Sequence, residues 1–122
     1  MEHQVFERVR EAALSIHGVS EGTSYGTPAF KVKDKLLARL HEDGETLVMR
    51  TDFETRDFLL QVEPHVYFIT DHYRNYPYIL VRLEHVEIEA LKGHLWNTWY
   101  NIAPQKLIQA FENTKRGSQD NG

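Results

Sequence analysis

Apolar side chains near the N-terminus recur every three or four residues, and charged side chains fill the positions between them. This spacing places the apolar groups on one side of a helix. Gly18 follows the pattern and is a natural helix stop. The sequence therefore predicts a helix over residues 4–17. Its apolar side would carry Val5, Val9, Ala12, Ala13 and Ile16.

The pattern then changes to short segments typical of strands. A strand over residues 23–25 would end at a corner over residues 26–28, since Pro28 favours extended geometry in the residue before it. Strands over 29–32 and 35–41 would be joined by a tight turn at residues 33–34, and a hairpin turn over 42–44 would lead to a strand over 46–50. Alternation in the 35–41 segment predicts that Leu36, Ala38 and Leu40 share one face.

The second half of the chain returns to helical spacing. Thr51 and Glu54 match a capping box and predict a helix ending near residue 61. Apolar residues of that helix would pack on the core: Phe58 and Leu59, with Phe53 and Val62. Strands over 66–70 and 78–83 would follow, then a helix over 87–102 and a last helix reaching residue 113. The third helix would bury Ile88, Leu91, Leu95, Trp99 and Ile102.

This order of elements indicates an α+β fold, in which an antiparallel sheet is backed by an N-terminal helix and a C-terminal helical pair. We expect one domain over residues 1–114. Residues 115–122 are polar and lack apolar groups to bury, so we expect a flexible tail there.

Composition and charge narrow the function classes. The chain has 122 residues, 41% hydrophobic and 26% charged, which is ordinary for a globular domain. It has no cysteine, which excludes disulfides and thiolate metal sites. No apolar segment approaches the roughly 20 residues needed to span a bilayer, and the N-terminus resembles no signal peptide, so we expect a cytoplasmic protein without a membrane partner. The net charge of −4 argues against strong non-specific binding to nucleic acid.

Two blocks of sequence resemble a known family. Residues 24–32 read SYGTPAFKV and residues 35–40 read KLLARL; a second block covers residues 70–73, TDHY, and 76–83, YPYILVRL. Together with Trp99 and Ala103-Pro104, they resemble the MmcQ/YjbR family from about residue 5 to 111. The resemblance implies a CyaY-like fold. It also implies DNA binding, because members are commonly described as DNA-binding through exposed β-hairpins.

Basic residues on the predicted strands form the candidate nucleic-acid surface. Side chains alternate across a strand, so Lys31, Lys33, Lys35 and Arg39 would gather on one side. These side chains would contact the phosphate backbone of the nucleic acid and would not read its bases. The full candidate surface comprises Lys31, Lys33, Lys35, Arg39, Arg50, Tyr73, Arg74 and Arg82. The alternative is a solvated outer face whose charges pair with Glu42, Asp43 and Glu45.

The segment over residues 71–78 combines tyrosines with a histidine and an arginine. Such a mixture stacks on bases while contacting phosphate. It equally lines a small-molecule pocket, for which the candidate residues are Tyr25, Phe30, His72 and Tyr73. A third interpretation is an aromatic cluster that only stabilises a hairpin.

The remaining chemistry is sparse. The seven histidines are scattered without metal-ligand spacing, and the sequence contains no phosphate loop or nucleophile motif. Asp71 and His72 are adjacent, so in an extended segment they would point to opposite sides rather than form a catalytic pair. We therefore expect a non-enzymatic monomer without cofactor or metal, with DNA as the expected partner and a small molecule or another protein as the alternative.

Overall fold

The computed structural model describes the backbone of residues 2–120 and the side chains of residues 4–115. Four α-helices, six strands and one short 3₁₀ helix follow each other along this part of the chain. In chain order they are α1 (Glu2–Leu14), β1 (Val19–Ser24), β2 (Thr27–Val32), β3 (Lys35–Leu40), β4 (Thr46–Arg50), α2 (Phe53–Val62), β5 (Tyr67–Phe68), the 3₁₀ helix (Asp71–Tyr73), β6 (Tyr78–Arg82), α3 (Ile88–Ile102) and α4 (Gln105–Asp120).

The strands form one sheet in the order β1-β2-β3-β4-β6-β5, and every neighbouring pair is antiparallel. Helices α1 and α3 pack against each other on one face, which we call the helix face. The predicted α+β class, an antiparallel sheet with helices, is therefore confirmed. The opposite face, which we call the outer face, is where the candidate site lies.

Cross-strand partners share a face, so the register separates core residues from outer residues. One row pairs Phe30 with Ala38, Ala38 with Met49, and Met49 with Ile79, and all four side chains are buried in the core. The neighbouring row on the outer face pairs Arg39 with both Ala29 and Val48. A charged residue thus occupies the middle of the outer face.

The predicted alternation in β3 is wrong, because the strand contains a β-bulge. The register moves from Phe30–Ala38 to Lys31–Leu36, which leaves Leu37 as an extra residue. An extra residue reverses the faces on either side of it. Leu37 and Ala38 are therefore both buried in the core, whereas Leu36 lies on the outer face.

The turn between β1 and β2 also differs from the prediction. Strand β1 is longer than expected, and β2 begins at Thr27, so Pro28 lies inside a strand rather than at a corner. The connection is the two-residue loop Tyr25-Gly26, in which both residues have positive φ, 54° and 79°. These values are those of a type I′ hairpin turn.

The N-terminal cap and the apolar side of α2, and the end of α4, also differ from the predictions. Helix α2 is capped by Asp52, whose carboxylate accepts the Thr55 backbone N–H at 2.7 Å, and not by Thr51. Of its apolar residues only Leu59 is fully buried, and Phe53, Phe58 and Val62 are exposed. The buried stripe of α3 is as predicted, with Ile88 partly buried. Helix α4 continues to Asp120 through most of the segment expected as a tail, and residues 121–122 lie outside the described residues.

Candidate functional site

Arg39 is the centre of the outer face. The residue is only 6% exposed, although it lies on the face without α1 and α3. The guanidinium donates from Nη1 to the Glu42 carboxylate and from Nη2 to the Tyr73 hydroxyl at 2.9 Å. The Tyr25 ring covers it, with the guanidinium carbon 5.0 Å from the ring centre. A buried cation is thus held by one carboxylate and two phenol side chains.

Glu42 reaches Arg39 because the turn after β3 has a fixed shape. The Asp43 carboxylate accepts the backbone N–H groups of Glu45 and Thr46 at 2.8 and 2.9 Å. Its second oxygen accepts the Thr46 hydroxyl at 2.8 Å, and Gly44 supplies a positive φ of 73°. This network holds the turn, so that Glu42 projects back over the strand from which Arg39 arises.

Tyr25 occupies a backbone position that its residue type disfavours. The first loop position of a type I′ turn prefers Asn, Asp or Gly, because a β-carbon there is strained. The ring is also 84% exposed, so burial of its surface does not offset this strain. Its described ring contact is the one with the Arg39 guanidinium, which indicates that the position serves the outer face rather than the core.

The aromatic segment between β5 and β6 curves over the same face, and Arg56 of α2 holds it there. Arg56 is itself 6% exposed. Its guanidinium donates to four backbone carbonyls of the segment: those of Tyr73 at 3.1 Å, Arg74 at 3.0 Å, Tyr76 at 2.9 Å and Tyr78 at 3.4 Å. The segment is therefore an ordered wall, with its shape set by a buried arginine on the neighbouring helix.

Between this wall and the sheet lies a cleft of about 740 Å³, which we call the outer cleft. That volume falls within the range typical of small-molecule sites. Leu36 and Val48 supply apolar surface and Arg39 supplies charge. The cleft is lined by Ser24, Tyr25, Leu36, Arg39, His41, Glu42, Val48, Thr70, His72, Tyr73, Tyr76 and Tyr78.

The electrostatics keep the Arg39–Glu42 pair ionised. Burial lowers the pKa of Arg39, but the hydrogen bonds to Glu42 and Tyr73 outweigh it, so the pKa rises above its usual value. The hydrogen bond from Arg39 lowers the pKa of Glu42. At neutral pH the outer cleft therefore contains a permanent cation and a carboxylate at its edge.

Of the four residues predicted to form a ligand pocket, the structure brings three together. Tyr25, His72 and Tyr73 line the outer cleft. Phe30 does not, since its side chain is fully buried in the core on the helix face. Phe30 lies in β2 on the helix face, whereas Tyr25 lies in the β1–β2 turn over the outer face.

The predicted gathering of four basic residues on one side of the hairpin is wrong. Lys31 pairs with Leu36 and therefore lies on the outer face, as Arg39 does. Lys35 pairs with the core residue Val32 and so leaves the sheet on the helix face. Lys33 is exposed in the turn between the strands, with φ of 56°.

The other basic candidates lie on other elements, and two of them, Arg74 and Arg82, have hydrogen-bond partners there. Arg74 is paired with Asp71 at 2.6 Å. Arg82 donates to the Pro64 and His65 carbonyls at 3.2 and 3.4 Å and lies over the Phe68 ring. Arg50 lines a separate recess beside α3. By the strand register, Arg50 and Arg82 lie on the outer face as Lys31 does, but on β4 and β6 rather than on the β2–β3 hairpin.

Comparison with known proteins identifies the relatives of this chain. The YjbR family model matches residues 14–101. The chain belongs to the YjbR family. Relatives of this chain include uncharacterized proteins of Mycobacterium tuberculosis and Mycobacterium bovis, each 39% identical over 69 residues. That match covers 56% of this chain and 54% of each relative, so it spans about half of their length.

The fold of this chain is also found in a solved structure. It is the crystal structure of a Deinococcus radiodurans protein with a DUF419 domain, which superposes with a TM-score of 0.68 at 20% identity. The superposition covers 83% of this chain and 80% of the other. At this identity, the likeness supports the fold alone.

Two further properties concern the described residues. No helix within residues 2–120 is both long and apolar enough to cross a membrane. Among the described His, Asp and Glu side chains, no group of three or more is arranged to hold a metal ion.

Sequence reasoning missed two contributors to this cleft, Arg56 and His41, and named Glu42 only as one of three possible partners of the basic strand residues. The signal for Arg56 was present in the sequence, since it lies three residues before the buried Leu59 and so on the inward side of α2. The sequence did not mark which of Glu42, Asp43 and Glu45 pairs with Arg39, because that depends on the shape of the turn.

Proposed function

We propose that this YjbR domain is a non-enzymatic binding module that takes a small molecule in the outer cleft. The observation that carries the proposal is Arg39, a buried cation at a concave surface lined by tyrosines. Pockets of this kind combine apolar and aromatic walls with a few fixed polar groups. The arrangement lacks a nucleophile held by a base, so binding rather than catalysis is the function that it supports.

Exposure of the aromatic side chains favours binding over a purely structural cluster. A cluster that only stabilises a hairpin buries its rings against each other. In the outer cleft, Tyr25 and Tyr76 are 84% and 55% exposed, whereas Tyr73 and Tyr78 are more buried beneath them. The exposed rings supply surface for a ligand, and the half-buried rings stabilise the wall.

A thermal-shift screen of metabolites tests this proposal, because a specific ligand stabilises the folded state by mass action. Compounds that raise the melting temperature of the wild type are tested again on two variants. Tyr76→Ala removes an exposed ring of the cleft, and Phe58→Ala removes an exposed ring on α2, outside it. We expect the stabilisation to fall in the first variant and to persist in the second. A screen without hits, or hits that are indifferent to Tyr76→Ala, would refute the proposal.

Weak DNA binding is the second candidate, favoured by the three lysines of the β2–β3 hairpin. Among the described side chains, Lys31, Lys33 and Lys35 form no ion pair. They would contact phosphates without reading sequence, so affinity would fall steeply with salt. The surface is small, and Lys35 lies on the opposite face from Lys31, which is why this function ranks second.

Titration of labelled duplex DNA at low ionic strength separates the two candidates. If DNA binds the hairpin, Lys31→Gln with Lys33→Gln weakens DNA binding and reduces its salt dependence. Small-molecule binding in the outer cleft stays unchanged in that double variant. Absence of duplex binding at micromolar protein would eliminate the second candidate and leave the first untouched.

A further inference from the structure

Glu42, the carboxylate partner of Arg39 in the outer cleft, lies largely in solvent. Glu42 is the single carboxylate that Arg39 contacts among the described residues, and its side chain is 57% exposed while that of Arg39 is 7% exposed. The carboxylate therefore approaches the buried cation from the solvent side. An anion arriving from solvent would reach the guanidinium along the same path.

The Arg39 guanidinium also has N–H groups that donate to none of the described residues. An arginine carries five N–H groups in a planar fork. Arg39 donates to the Glu42 carboxylate, to the Tyr73 hydroxyl and, at 3.4 Å, to the Leu40 carbonyl. Two N–H groups thus have no hydrogen-bond partner among the described residues. Planar forks of this kind bind a carboxylate or a phosphate with two parallel hydrogen bonds.

Planar surfaces flank this position. The Tyr25 ring lies over the guanidinium, and the Tyr73 ring is held by the hydrogen bond from Arg39 to its hydroxyl. Tyr73 in turn has edge contacts with His72 and Tyr78, whose ring centres are 4.7 and 6.0 Å away. A flat ligand bearing one anionic group would match both the cation and these rings.

We infer that the ligand class of the outer cleft is a small planar aromatic anion. Its carboxylate or phosphate replaces Glu42 on Arg39, and its ring packs against Tyr25. Glu42 then acts as a built-in substitute that occupies the anion position until the ligand arrives. This inference rests on the proposed function and adds the chemical class and the competing residue.

Matched pairs of anionic and neutral probes test the inference. Calorimetry measures the affinity of each probe, and amide chemical shifts of the cleft residues show whether the probe binds in the outer cleft. Indole carboxylate is compared with neutral indole carboxamide, and AMP with adenosine, which distinguishes a carboxylate source from a nucleotide source. We expect the anion of at least one pair to bind about tenfold tighter than its neutral partner, the value of a charged hydrogen-bonded contact.

Glu42→Gln gives the sharper test, because it removes the competing charge and keeps the shape. The variant should bind the anion about two- to fivefold more tightly, with little change for the neutral partner. Glu84→Gln changes the net charge equally at an exposed turn between β6 and α3 and should leave both affinities unchanged. Tyr25→Asn should weaken both members of the pair together, by several-fold, through loss of the ring.

The possible results distinguish failure of the anion inference from failure of the proposed small-molecule binding. If the neutral member of each pair binds the cleft as tightly as the anion, or if Glu42→Gln and Glu84→Gln behave alike, the anion assignment is overturned and the cleft remains a binding site. If all four probes leave the cleft resonances unshifted, the planar-anion inference is overturned. The metabolite screen then decides on the cleft separately.

Discussion

Replacement of Arg56 by methionine tests whether a buried arginine builds the wall of the outer cleft. Three of its contacts to backbone carbonyls are 3.1 Å or shorter, and each is worth about 1 kcal/mol net. Against this stands the cost of burying the guanidinium, whose Nε has no partner among the described residues, at about 1 kcal/mol. We therefore expect Arg56→Met to lower the free energy of unfolding by about 2 kcal/mol.

Urea denaturation measures the loss, and amide hydrogen exchange locates it. The backbone N–H groups of Tyr76 and Tyr78 bond to carbonyls within the segment at 3.1 and 2.8 Å and should exchange faster in the variant than the amide of Met49 in the sheet. Arg74→Met is the matched control, since this exposed arginine pairs with Asp71 at the surface and should cost less than about 0.5 kcal/mol. Equal losses in the two variants, or unchanged exchange at Tyr76 and Tyr78, would refute the role assigned to Arg56.

Three smaller predictions concern single residues. Tyr25→Asn relieves backbone strain of about 1 kcal/mol and loses a surface cation–π contact of similar size. The free energy of unfolding, measured by urea denaturation, should therefore stay equal or rise slightly, while ligand binding weakens. A clear loss of stability would contradict this. Asp52→Ala should cost about 1 kcal/mol through loss of the helix cap. Since hydrogen bonds from Thr55 lower the pKa of Asp52, that cost should be present above pH 3.8 and fade as the pH falls further in parallel denaturation series. Burial lowers the pKa of His94 below 6.5, so the unfolded state binds the proton first and stability should fall as the pH drops through 6.5; an NMR titration that places the pKa of His94 above 6.5 would contradict this.

The helical part of the fold was predictable because its signal is repetitive. In α3, Leu91, Leu95 and Trp99 recur at helical spacing and are all fully buried. Strand signals were weaker, and two local features defeated them. The bulge at Leu37 reverses the alternation within a six-residue strand, and no composition rule marks an extra residue there. Strand β1 consists of mostly exposed polar residues, so it offers little apolar periodicity to read.

The candidate site was predictable in its residue types and less so in its grouping. Aromatic residues of the segment over 71–78 and Tyr25 do meet in the outer cleft, because the hairpin turn and the segment lie on one face. Of the partners of Arg39, Glu42 was predicted only as one of three carboxylates in an alternative, and Tyr73 was not predicted as a partner. Tyr73 lies 34 residues away in sequence, and Glu42 reaches back only because Asp43 fixes the turn. Such contacts depend on tertiary geometry, which a pattern of residue types does not encode.

Charge provides the final reason to rank a small anion above a polyanion. The chain carries a net charge of −4, and its described arginines are mostly paired or turned towards backbone carbonyls. A duplex contacts a wide surface and therefore feels the sum of many charges. A small anion within hydrogen-bonding distance of Arg39 lies well inside the screening length of about 8 Å, so the nearest cation dominates its energy. The exposed charge of Glu42 then sets the threshold, since only a ligand that exceeds that carboxylate in hydrogen bonding and ring contact will displace it. The proposed small-anion site therefore depends on one buried arginine, whereas DNA binding would depend on the charge of a wide surface.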